Sequence, residues 1–164
     1  MGAPGQILGE YLAYLGLVLL GLFSLSLPLI FILERELIVI PEWEGMGASP
    51  FFGFLKMLLP VAAMFAAMQF FLYETAEGIV NGILLQFLCG AGMGYLAGCF
   101  YPSAFFPERM RAIGSMLPSG AAAHYVEEGL FGRISAGTAA AVFAYLAVFF
   151  TLAVMVRRGR IVCK

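Results

Sequence analysis

Residues 102–130 read PSAFFPERMRAIGSMLPSGAAAHYVEEGL, an apolar stretch broken by Pro102, Pro107 and Pro118 and carrying Glu108, Arg109, Arg111, His124, Glu127 and Glu128. Pro107 suits the first position of a helix and Glu108 the positive end of its dipole, and the run to Leu117 has to stop ahead of Pro118. A second helix then starts with Ser119 as N-cap and ends near Gly129. Each holds about ten residues and is about 15 Å long. A bilayer core about 30 Å thick needs about 20 helical residues, so neither crosses it. Two arrangements are open. A helical hairpin dips into one leaflet and returns, provided that protein or a wet cavity satisfies the backbone at its turn. Alternatively, two amphipathic helices lie along the interface. The re-entrant hairpin is the leading expectation.

The flanking sequence supplies the spans. The chain has 164 residues, 62% of them hydrophobic and 12% charged, with no Asp. A soluble domain carries about 25% charged residues, so this chain lacks the polar side chains to cover a folded surface in water. That composition argues against soluble enzymes and disordered linkers, and a formal net charge of −1 leaves no electrostatic footprint for nucleic acid. Charge-free stretches lie at 11–33, 57–73, 78–107, 112–126 and 134–156. The second reaches span length if it begins at 54 and Lys56 extends its ammonium to the headgroups. The expectation is an all-α integral membrane protein of one domain. Its spans lie at 11–33, 54–73, 79–101 and 135–156, with the hairpin at 102–130 and a basic tail at 157–164.

That tail carries Arg157, Arg158, Arg160 and Lys164 directly beside a span, which places the C-terminus in the cytoplasm of a cell membrane. With four spans the N-terminus is cytoplasmic too, and the hairpin and the acidic segment holding Glu34, Glu36, Glu42, Glu44 and Trp43 lie outside. Arg35, Lys56, Arg109, Arg111 and Arg133 on that outer side outnumber the tail's cations, so the orientation rests on the tail's contiguity. The segment before residue 11 has no basic residue and leads into a span-length run, so no secretory signal is expected. Cys89, Cys99 and Cys163 have no metal spacing and read as reduced and structural.

Within the spans, Gly78, Gly82, Gly90, Gly94 and Gly98 recur every fourth residue apart from Gln86, a ridge along which another backbone can approach. Gly90, Gly94 and Gly98 are the candidate helix-packing or dimer contact, within one chain or between subunits. Ala62, Ala63, Ala66 and Ala67 offer small-residue packing beside Met64 and Met68, and Pro28 predicts a kink in the first span. Glu74 and Glu77 sit three apart between the second and third spans, either as solvated turn charges or as a contact for a basic partner surface. His124 is the one histidine, and Ser115 and Ser119 lie in no nucleophile elbow. With Glu127 and Glu128 it has helical spacing for a metal, but a second ligand set is missing; the alternative is a polar residue at the hairpin mouth. No phosphate-binding loop motif occurs, so no enzyme activity, cofactor or metal is expected of the chain.

Gly98-Cys99-Phe100-Tyr101-Pro102, then Phe106-Pro107-Glu108, then Met116-Leu117-Pro118 resembles the C-terminal part of ABC-2-type transporter permeases in order and spacing over roughly 54–164. In that family the penultimate membrane helix ends in a small-Gly-aromatic-x-Pro stretch, followed by two short helices and the last membrane helix. The resemblance implies an exporter membrane domain that works beside a second permease chain, homo- or heterodimeric, with separate ATP-binding subunits. It implies that Pro102, Pro107, Glu108, Pro118, His124, Glu127 and Glu128 belong to an extracellular re-entrant element. It also implies that Glu74 and Glu77 belong to a cytosolic turn able to meet an ATPase. The family's membrane domain has six helices. Its first two have no counterpart here, so the chain is either a fragment or draws its partner spans from another chain. A non-transporting scaffold or immunity-type protein that binds a partner helix through the glycine row is the alternative. No acidic residue sits deep in a span, which argues against a protonmotive transporter and for an amphipathic or lipid-like cargo.

Overall fold

The computed structural model describes residues 4–34, 50–98 and 100–162. The helices are α1 (Pro4–Glu34), α2 (Pro50–Thr75), α3 (Ile79–Leu96), α4 (Glu108–Met116), α5 (Pro118–Leu130) and α6 (Ala136–Val162), with a short 3-10 turn at Ser103–Phe105. Among the described residues, four segments are long and apolar enough to cross a membrane: Gly5–Ser24, Lys56–Thr75, Ile79–Leu96 and Ala136–Gly159. At 9 and 13 residues, α4 and α5 are too short.

Helix α2 is the centre of the bundle, packed most extensively against α6 and then against α1 and α3. Ala62, Ala66 and Ala67 are fully buried on it and let neighbouring backbones come close, while Met64 and Phe70 fill the remaining space. The core joins Met57, Val61 and Met64 of α2 to Ala122 and Tyr125 of α5 and Val142 of α6. The other long helices turn apolar faces outward: Leu12, Leu17 and Leu20 on α1, Ile83 and Phe87 on α3, Val148 and Met155 on α6. Faces of that size are stable in contact with lipid and not with water. The chain is a multi-span, all-α membrane protein.

Helix ends differ from the sequence expectation for definable reasons. The sequence predicts a third span running to 101, but α3 stops at Leu96. Gly98 follows with φ 86°, and the amides of Ala97 and Gly98 donate back to the carbonyls of Met93 and Tyr95. That is the geometry in which glycine ends a helix. Helix α1 begins at Pro4 and not at 11, because the charge that set the limit, Glu10, is paired with Arg157 on α6. Helix α6 likewise runs on through its arginines to Val162. Pro107 caps α4 and is not its first residue, and Pro118 rather than Ser119 opens α5, with Leu117 as its N-cap. Pro28 falls within α1, where side chains beyond Ser24 are outside the described set. The acidic segment with Glu36, Glu42, Trp43 and Glu44, and Cys99, Cys163 and Lys164, also lie outside the described residues.

Candidate functional site

The proline-punctuated segment becomes a helical pair set against the end of α3. Helix α5 is buried along Pro118–Ala122 and at Tyr125 and Gly129, whereas α4 buries only Gly114. Helix α5 is seated on α3 near Met93, whose carbonyl accepts the Ser119 hydroxyl at 3.0 Å. From there it follows the first half of α2, with Ala122 and Tyr125 among Val61 and Met64, and reaches Met57 at Gly129. The sequence predicts Ser119 as a helix cap. Its hydroxyl instead ties two helices together, because Pro118 already occupies the first position of α5.

Backbone meets backbone at the corner. A methyl group on Gly114 would press on the Leu96 carbonyl oxygen and lie 3.1 Å from the Leu96 carbonyl carbon. One on Gly120 would press on the Gly114 carbonyl oxygen and lie 2.8 Å from Ser115 Cα. Two carbonyls of the corner find partners within the protein: Tyr145 of α6 donates its hydroxyl to the Met116 carbonyl, and the Leu117 amide donates to the Gly114 carbonyl at 3.2 Å.

Two open-sided clefts flank α5. One, about 460 Å³, lies between α4, α5 and the end of α3 and is lined by Glu108, Arg111, Ser115, Ala123, His124 and Glu127. The other, about 510 Å³, is almost wholly apolar and lies between α2, α3 and α5, lined by Phe65, Met68, Gly90, Gly94, Val126 and Leu130. Ala123 and Glu127 line both. His124 is exposed, its Nδ1 3.7 Å from Glu127.

Glu128 faces the other way. Its carboxylate accepts the Ser135 amide at 2.7 Å and the Thr138 hydroxyl at 3.0 Å, while the Ser135 hydroxyl accepts the Thr138 amide at 3.2 Å and caps α6. The Ser135 amide, followed by the Thr138 and Ser135 hydroxyls and the nearby His124, holds the Glu128 carboxyl below its usual value. A depressed folded value means that this support is present above the ordinary carboxylate range and is lost as pH falls through the folded value. Amide exchange at Ser135 and Thr138, corrected for intrinsic rates, should therefore accelerate in acid. Glu128→Gln should remove that pH dependence.

The glycine row divides. Gly98 sits beyond the helix, a methyl on Gly94 would lie 3.2 Å from Phe100 Cε2, and methyls on Gly90 and Gly92 would meet nothing within 4 Å. Gly90→Ala should therefore leave stability unchanged or raise it by up to about 1 kcal/mol, the helix preference of alanine over glycine, as read by thermal unfolding in detergent.

A cluster that sequence reading missed lies at the other end of the bundle. Arg157 pairs with Glu10, its Nη2 to Oε1 distance 2.9 Å, and its Nη1 is 3.5 Å from Glu74. The first turns of α1 are thus gathered with the ends of α2 and α6. Glu74 and Glu77 diverge: Glu74 turns inward to Arg157, whereas Glu77 stays exposed in the turn, its carbonyl bonded to Asn81 at 2.9 Å. Proteins with matching sequence, family pattern or solved fold were not found.

Proposed function

We propose that the chain is a permease subunit, or the C-terminal part of one, in an ATP-driven exporter of the ABC-2 type. It would line a translocation pathway with a second permease chain, while separate subunits hydrolyse ATP on the cytoplasmic side. The observation that carries this reading is the order of elements around α5: a span, a short exposed helix, a Leu-Pro corner seated on the end of that span, a short buried helix, and the last span. In such a scheme the hairpin closes the outer end of the pathway. Movement of the cytoplasmic ends, where Arg157 joins α1, α2 and α6, would shift it by rocking of helices.

Single-cysteine labelling in a Cys-free background tests the orientation. A cysteine at position 124 should label from outside intact cells and one at 158 only after permeabilisation. Labelling of both from the same side would overturn the assignment. A second reading, a non-transporting protein that binds a partner helix, draws on the open space beside Gly90 and Gly92. Isolation of the chain with a helical partner and no nucleotide-binding subunit would favour it.

A further inference from the structure

We propose that the two clefts flanking α5 form one binding site for a zwitterionic membrane lipid, with a hydrocarbon chain over Gly90 and Gly94 and the head between Arg111 and the carboxylates of Glu108 and Glu127. The clefts share Ala123 and Glu127 in their linings, so a single molecule laid across these two residues reaches both. Each falls within the range of about 300–1,000 Å³ usual for ligand sites. The apolar cleft is walled by Phe65, Met68, Val126 and Leu130, and its floor is left open by Gly90.

Head preference follows from charge. Among the described residues, Glu108 and Arg111 line the polar cleft with no ion-pair partner, and Glu127 has only His124 at 3.7 Å. A phosphate suits the donor fork of Arg111. An ammonium suits the two carboxylates, which would repel a purely anionic head, just as Arg111 would repel a purely cationic one. A phosphate–ammonium pair satisfies all three groups. This site does not rest on the exporter reading, because a chain that transports nothing would have the same clefts.

The experiment is photolabelling of the purified full chain in nanodiscs. The probe is phosphatidylethanolamine with a diazirine on its acyl chain, and labelled peptides are mapped by mass spectrometry. Label should concentrate on 90–94 and 122–130. Unlabelled phosphatidylethanolamine should compete at least five-fold better than phosphatidylglycerol, Gly90→Leu should cut groove labelling at least five-fold, and Arg111→Gln should erase the head preference. Label spread evenly over the outward faces of α1, α3 and α6 would overturn the proposal. So would groove labelling indifferent to head group. The wild-type map decides without any variant, so poor folding of Gly90→Leu leaves the test intact.

Discussion

Gly120→Ala should destabilise the protein by about 3 kcal/mol, the upper end of the usual cost of overpacking. Its methyl group would lie 2.8 Å from Ser115 Cα and 2.9 Å from the Gly114 carbonyl carbon. Both are backbone atoms, so no side-chain rotation relieves the contact. The corner between α4 and α5 has to open, which pulls the Ser119 hydroxyl from Met93 and the Tyr145 hydroxyl from Met116. The measurement is thermal unfolding in detergent alongside Gly90→Ala, the same substitution where the new methyl meets nothing. Equal midpoints for the two variants would mean that the hairpin is not seated as described. Gly129→Ala should fall between them, because its methyl meets the Met57 side chain, which can move aside.

Arg157→Gln should have the second large effect. Glu74 has a side-chain exposure of 12% and Arg157 of 15%, whereas Glu10 is 41% exposed. Both side chains are only partly buried, so the cost is that of leaving a charged group without its hydrogen-bond partner, about 1–3 kcal/mol. Glu10 can rehydrate and Glu74 does so less readily, so most of the loss is expected from Glu74. The double variant Arg157→Gln, Glu74→Gln should recover part of the loss, and Glu10→Gln alone should cost much less. A double-mutant cycle on thermal unfolding gives the coupling directly, and a coupling near zero would remove the cluster from the account.

The spans were legible because charge is expensive in lipid, so charge-free runs mark membrane helices wherever the ends are free of ion pairs. The same rule misplaced the start of α1. Glu10 reads as a boundary until its partner is known, and that partner lies on the last helix of the chain. Spacing at short range cannot reveal a pair so far apart in sequence. The hairpin's two helices were legible from Pro107, Pro118 and Glu108, but the depth of α5 was not, because PSGAAA reads equally as a weak surface helix. Its burial comes from what surrounds it: Ala122 packs in one cluster with Val61 and Met64, and Gly114 and Gly120 bring backbones together across the Leu-Pro corner. Gly90, Gly94 and Gly98 share a spacing and not a role. A four-residue period identifies a face, and only the neighbours decide whether that face is packed, open or past the helix end. Glu128 shares a helix with His124 and Glu127, yet its carboxylate turns to the start of α6, a contact that depends on the loop between.

The proposed function requires a partner subunit that hydrolyses ATP. Affinity isolation of the chain from its native membranes in mild detergent, with identification and quantification of every co-isolated protein, tests it most directly. A stoichiometric subunit carrying a Walker nucleotide-binding motif, with ATPase activity in the same fraction, is the expected result. Isolation of the intact chain with no nucleotide-binding protein would contradict it.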